Sequence, residues 1–299
     1  FDDYSSYYDS KFHSENFYFF AILGYPPPSP HLSENWENFF ETAPYLCIPY
    51  TSKIIYNSSK YNIVYIFYLD DILNNENKKI SFIEIKEEEI IGINNQVDLS
   101  VAEKISQNLL RRNAMLKGVK LINPETIFIN HDTKFGRDVV IHPNVVFGQN
   151  VIIETSVEIK SFSHLEKCKV KSGSIIGPFA RIRENSVIGK NSKIGNFVEI
   201  KKSKLSEDVK VNHLSYVGDS EIGSSTNIGA GTITCNYDGK NKHKTKIGKN
   251  SFVGSNSTII APINIGKNVT MGAGSTFNKD IPDNTLSIGR SYQTNKKKK

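Results

Sequence analysis

The chain has 299 residues, 38% of them hydrophobic, with a mean hydropathy of -0.36. That length allows two domains of ordinary size. The formal charge is +6, but Lys296 to Lys299 supply four of those units. The body is therefore not read as a nucleic-acid surface, and the lysine run (residues 291–299 with its approach) reads as a solvated tail.

Residues 1–60 are rich in Tyr, Phe, Asn and Ser, with PPPSP at Pro26–Pro30, and show no period. No regular element is assigned to them. The chain opens on Phe1 rather than Met, so a fragment of a longer protein is expected. The opening lacks the basic and long apolar regions of a signal peptide. The apolar runs Phe17–Leu23 and Ile63–Leu69 fall well short of the roughly 18 residues that cross a bilayer. Cys47, Cys168 and Cys235 are odd in number and irregularly spaced, which points to free thiols and a reducing, cytoplasmic setting.

Residues 61–97 form the next segment. Asn62–Leu73 reads as a strand or helix, and Lys79–Ile85 alternates like a half-buried strand. A connector helix follows over residues 98–117. Asp98 or Ser100 is the expected cap, Val101 to about Leu116 the body, and Gly118 the stop. Its apolar positions are Val101, Ile105, Leu109, Leu110 and Met115.

From Phe135 a six-residue step begins: Phe135, Ile141, Phe147, Ile153, Ile159 and Leu165. It slips at Cys168–Ser174 and resumes through Ile176, Ile182, Ile188, Ile194 and Ile200. Leu205, Val211, Val217, Ile222 and Ile228 continue it, and after an interruption Ile247, Val253, Ile259, Ile265, Met271 and Phe277 complete it. Gly often comes next, and a small or β-branched residue stands four places on, as at Ala180, Ser192, Val198 and Ser257. This period fits neither an amphipathic helix nor an alternating strand. It fits a parallel β-helix in which each hexapeptide makes one face of a prism, with about eighteen residues per coil. The aliphatic and the small residue both point inward, and Gly relieves a corner where φ turns positive. Such a helix winds left-handed, against the usual crossover rule. The prism is expected over residues 118–290. The polar stretch Thr234–Lys246 cannot form a face and must project as a loop; inserted loops in solenoids often mark the binding face.

The segments GPFARIREN, GNFVEIKKSKL, VNHLSYVGDSEIGSSTNIGAGTITCNYDG, FVGSNS and IGRSYQT carry a resemblance. Together they resemble the acetyltransferase half of bifunctional N-acetylglucosamine-1-phosphate uridyltransferase/glucosamine-1-phosphate acetyltransferase, over about Ile91 to Lys299. The resemblance implies a homotrimeric enzyme that moves acetyl from acetyl-coenzyme A to the amine of glucosamine 1-phosphate, on the way to UDP-N-acetylglucosamine. Its partners are small molecules, not nucleic acid or membrane. It implies His213 as general base, a role that a neutral imidazole suits. It implies Arg183, Lys201, Tyr216 and Asn227 as sugar-phosphate contacts. It implies Ala230, Asn236, Tyr237, Ser255, Ala273 and Arg290 as acetyl-coenzyme A contacts.

GINNQ at Gly92–Gln96 resembles the end of the uridyltransferase domain, where Asn94 would help hold Mg²⁺. The Gly-rich nucleotide loop and the Asp that shares the metal are absent, so residues 61–97 read as a truncated α/β remnant, and Mg²⁺ belongs only with an intact uridyltransferase half. The fold expectation is thus mainly β, a left-handed parallel β-helix behind a connector helix and that remnant. Two other readings of the prism remain: a non-catalytic trimeric scaffold, or a zinc enzyme using His131, His142 and His164.

Overall fold

The computed structural model describes residues 91–297. The segments Asn62–Leu73 and Lys79–Ile85 lie outside the described residues. The chain divides into two units after Ile105, within the first helix.

Helix α1 spans Gln96–Leu116. It starts earlier than expected because Asn95, not Asp98 or Ser100, is the cap. The Asn95 side-chain oxygen accepts the N–H groups of Val97 (2.8 Å) and Asp98 (3.0 Å). Asp98 turns back to accept the Asn94 N–H, also at 3.0 Å. Together these bonds satisfy N–H groups that a helix start leaves orphaned. The other end stops where the glycine indicated. Gly118 has φ +89°, its N–H reaches Met115 O, and Val119 N–H reaches Ala114 O. That pair of bonds is a Schellman stop. The buried helix residues are Gln107 and Ala114, whereas Leu109 and Met115 are exposed. Gln107 is buried because its amide clamps Ile129, donating at 2.8 Å and accepting at 2.9 Å. The apolar spacing missed this polar clamp.

Beyond α1 the chain is a three-faced column of parallel strands, with faces of ten, eight and eight strands. The fold is the left-handed parallel β-helix of hexapeptide repeats. Every third strand pairs in register. On the first face Ile141 aligns with Ile159, Ile159 with Ile176, Ile176 with Ile194, Ile194 with Val211, and Val211 with Ile228. On the second face Leu165 aligns with Ile182, Ile182 with Ile200, and Ile200 with Val217. These residues are buried, and so is a small residue four places on, or three places on at Cys168, Ser203 and Ser220, so the repeat is the core. Removing such side chains from water is the main stabilising term.

The slip at Cys168–Ser174 is no break. Cys168–Val170 is a strand of the third face, reached by a five-residue step from Leu165 to Val170. Similar five-residue steps run from Ile200 to Leu205 and from Val217 to Ile222. Burial, with a smaller push from the Glu166 charge, raises the Cys168 thiol to about 12. A thiolate is the reactive form. Peptide mapping after maleimide treatment of the native protein is therefore expected to find Cys168 unlabelled, and labelled only after denaturation.

The glycine after the aliphatic residue is needed for a different reason than positive φ at most positions. Among the glycines that follow an aliphatic residue, Gly177 has a positive φ (90°), but Gly189 and Gly195 do not. Their reason is close approach. A Cβ on Gly189 would lie 2.0 Å from Ser206 O, and one on Gly195 would lie 1.9 Å from Asn212 O. The left-handed residue is instead the third after the aliphatic one, as at Asn191, Asn250, Asn256 and Asn268. Asn tolerates that region better than most side chains.

The interruption is also shorter than Thr234–Lys246. Ile233–Cys235 and Thr245–Ile247 are strands, and Cys235 ends a strand of the second face rather than lying in the loop. Thr234 takes the core position, aligned with Ile259, and its hydroxyl accepts Gly218 N–H at 2.8 Å. Only residues 237–244 project. They fold back through a bridge from Tyr237 to Lys242. The Asp238 carboxylate accepts two backbone N–H bonds at 2.7 Å, from Lys240 and Asn241, and meets His243 Nε2 at 2.6 Å. Those bonds, the one from Asn241 foremost, hold its carboxyl far below the usual range.

Candidate active site

The second residue past each core aliphatic of the first face stands beside the corner to the second face. On successive coils this position holds Asn196, His213, Ala230, Ser255 and Ala273. Backbone bonds tie the column together. Leu214 N–H reaches Asn196 O (3.0 Å), Asn256 N–H reaches Ala230 O (2.7 Å), and Gly274 N–H reaches Ser255 O (2.8 Å). Neighbouring strands lie about 4.8 Å apart, so His213 and Ala273 are about 14 Å apart along the column. The sequence thus writes one exposed histidine at the head of a track of small side chains. Arg290 closes the far end, its Cδ 3.8 Å from where a Cβ on Gly274 would stand.

His213 is exposed, not inward. Its Nδ1 lies 2.7 Å from Asn196 Oδ1. An amide oxygen has no proton to give, so Nδ1–H is the donor. Nε2 is then the nitrogen left with a free lone pair.

The second face carries the positive charge. Arg183 and Lys201 each follow a buried isoleucine and stand in register on adjacent strands. Arg183 Nε donates to Glu199 Oε1 at 2.5 Å, and its Nη1 donates to Glu184 Oε1 at 2.5 Å. Lys201 Nζ lies 3.6 Å from Glu184 Oε2, with only 9% of its side chain exposed. The Glu199 bond raises the Arg183 pKa further, against a smaller lowering by burial. Tyr216 aligns with Glu199 on the next coil. Its hydroxyl lies over Gly218, 2.5 Å from where a Cβ there would be, so that glycine keeps room for the phenol. Burial raises the Tyr216 pKa, against a lowering bond from Asn236.

Asn236 is buried and its Nδ2 donates to Asp219 Oδ2 at 2.5 Å. It therefore stands with Tyr216 rather than in the small-residue column. Tyr237 is exposed on the hairpin, its hydroxyl donating to Gly239 O at 2.6 Å. Asn227 lies on the first face, in register with Lys210 and Phe252. One chain thus gathers Arg183, Lys201 and Tyr216 on one face and leaves Asn227 on another. Sequence reasoning missed Asn196, Glu184, Glu199 and Asp219. Counting one coil back from His213 reaches Asn196, but only if the coil is taken as 17 residues, not eighteen.

The other metal readings fare differently. His142 Nε2 meets Glu158 at 2.9 Å. Among the described residues no three His, Cys, Asp or Glu side chains are grouped to hold a metal. Asn94 is exposed ahead of α1, and the nearby Asp98 carboxylate is spent on the Asn94 N–H and on Asn95 Nδ2, at 3.0 Å each. These residues do not fit a Mg²⁺ site, which asks for free carboxylates in octahedral array.

Residues 166–237 match the family described as GMPPB C-terminal domain, and residues 244–278 match the hexapeptide repeat of succinyl-transferase. The protein named Bifunctional protein GlmU from Anaplasma marginale (strain Florida) is 48% identical over 77% of this chain and 54% of its own. Its namesake from Zymomonas mobilis is also 48% identical, over 77% of this chain and 52% of its own. Among solved structures, a UDP-N-acetylglucosamine acyltransferase from Bacteroides fragilis is 22% identical over 53% of this chain and 68% of its own, with a TM-score of 0.31. A TM-score that low assigns nothing. The chain spans about half the length of the curated relatives it matches. By these matches it is a homologue of the proteins named Bifunctional protein GlmU.

Proposed function

We propose that this chain transfers acetyl from acetyl-coenzyme A to the amine of glucosamine 1-phosphate. The product is N-acetylglucosamine 1-phosphate, a precursor of UDP-N-acetylglucosamine and so of cell-wall polymers. The observation that carries the reading is the His213–Asn196 pair at the head of the small-residue track, with Arg183 and Lys201 on the adjoining face. The homology to bifunctional GlmU proteins supports it.

In this reading Arg183 and Lys201 hold the sugar phosphate, Arg through paired N–H groups and Lys as a point charge. Tyr216 borders the sugar. His213 Nε2 takes the proton released as the amine adds to the thioester carbonyl, and returns it to the departing sulfur. Ala230, Ser255 and Ala273 leave room for the pantetheine arm, and Arg290 faces a coenzyme phosphate. Tyr237, exposed on the hairpin, contacts the coenzyme from a neighbouring copy, and Asn236 contacts it from beside Tyr216. Asn227 likewise serves a neighbour's sugar, since its own face lies away from the cation pair. The assembly is a homotrimer in the cytoplasm. Among the described residues no helix is long and apolar enough to cross a membrane. Uridyl transfer, with Mg²⁺, belongs to intact relatives and is not assigned to residues 91–97. A bare scaffold explains the prism but gives no reason for an exposed histidine with an oriented tautomer.

Asn196→Ala is expected to lower kcat about 10- to 100-fold. That range is the kinetic equivalent of the roughly 1.5–3 kcal/mol that a hydrogen bond to a charged group is worth. Asn196→Asp is expected to move the acidic limb of the pH–rate profile upward, because a carboxylate favours the imidazolium. A merely structural Asn196 would leave that profile in place. The reaction itself is tested by following coenzyme A thiol release. Release that depends on glucosamine 1-phosphate is expected; a folded protein with none refutes the proposal.

A further inference from the structure

The corner between the second and third faces is not the same on every coil. At Lys167, Lys202 and Asp219 one left-handed residue turns the chain. At the Arg183 coil two consecutive non-glycine residues do so, Glu184 (φ 52°) and Asn185 (φ 60°). Asn185 keeps the ladder, donating its N–H to Lys167 O at 2.6 Å, while Lys202 N–H reaches Arg183 O at 3.2 Å. Glu184 is thus the extra residue, pushed out of the stack. Its carboxylate lands between the two cations assigned to the phosphate, at 2.5 Å from Arg183 Nη1 and 3.6 Å from Lys201 Nζ.

Charge decides what this does. Arg183 and Lys201 bring two positive charges, and Glu199 and Glu184 bring two negative ones. The cluster is neutral with Glu184 in place. A phosphate monoester carries about −1.5 to −2 at neutral pH and needs a net positive site. Glu199 holds Arg183 through Nε and so fixes the plane of the guanidinium. Glu184 instead takes Nη1, and with 42% of its side chain exposed it has room to swing into water. We infer that Glu184 is a displaceable internal counter-ion, which occupies the phosphate position in the free protein and leaves when a phosphate monoester arrives. It keeps the nearly buried Lys201 paired between turnovers and lowers affinity for the sugar phosphate. The inference rests on the assignment of Arg183 and Lys201 to the phosphate.

The test is a calorimetric titration of the full chain with inorganic phosphate and with glucosamine 1-phosphate. Glu184→Gln and Glu184→Ala are each expected to bind both ligands about fivefold tighter than the wild type, the upper range for an exposed ion pair. The gain is expected to shrink in 0.5 M salt, where the Debye length falls to about 4 Å. Lys201→Ala is expected to weaken phosphate binding. Glu184 variants that bind phosphate no tighter, alongside a weakened Lys201→Ala, overturn the counter-ion and leave the phosphate site standing. Phosphate binding indifferent to Lys201→Ala overturns both. Circular-dichroism melting of each variant separates these outcomes from misfolding.

Discussion

Replacing His213 by Ala is expected to lower acetyl transfer by about 10²- to 10⁴-fold, the usual contribution of a positioned base. The fold should not notice. His213 is exposed, its ring is held by Asn196, and the neighbouring core positions are Val211 and Ser215. Thermal unfolding of the variant should match the wild type. The KM for acetyl-coenzyme A should hold, because Ala230, Ser255 and Ala273 lie on later coils. Residual activity should rise with pH, as more of the substrate amine reaches the reaction already deprotonated. A loss below tenfold, in a protein that melts normally, would remove His213 from the chemistry.

Ile200→Ala is expected to destabilise the column by about 2–5 kcal/mol, the range for emptying a fully buried isoleucine site. Ile200 is stacked between Ile182 below and Val217 above, so neither coil can close the cavity without breaking its own register. In a solenoid each coil leans only on its neighbours, so the damage should centre on this stretch. Glu199 and Lys201 flank Ile200 in the same strand. The substitution should therefore also raise the KM for glucosamine 1-phosphate. Urea unfolding followed by circular dichroism reads the first effect. Ile200→Val, which removes one methylene, should cost about 0.5–1.5 kcal/mol and serves as the graded comparison.

The column was legible because its period is a packing rule. One large and one small side chain must enter each face, and that requirement shows in most of the repeats from Phe135 to Phe277. Backbone state was less legible. The glycine after the aliphatic residue looked like a turn residue, yet at Gly189 and Gly195 it is small because the next coil's carbonyl presses on it. A single sequence does not show which carbonyl will lie against which Cα. Thr234 escaped the core pattern because it is polar, and only its bond to Gly218 explains its burial. The start of α1 was misplaced because Asn95 lies in a polar run where several residues have capping side chains. At the site, His213, Arg183, Lys201 and the small-residue track came from the resemblance, and the register shows why they adjoin. Asn196 and Glu184 stayed hidden for a shared reason. Each depends on coils of 17 or 18 residues set by the five-residue steps, and the partner across a coil is fixed only once those steps are placed.

The most direct test is a crystal structure of the chain with coenzyme A and glucosamine 1-phosphate bound. The account predicts the sugar amine within about 3.2 Å of His213 Nε2, the phosphate between Arg183 and Lys201, and the pantetheine arm running past Ala230 towards Ala273. An amine remote from His213, or a coenzyme bound away from that row, would contradict it.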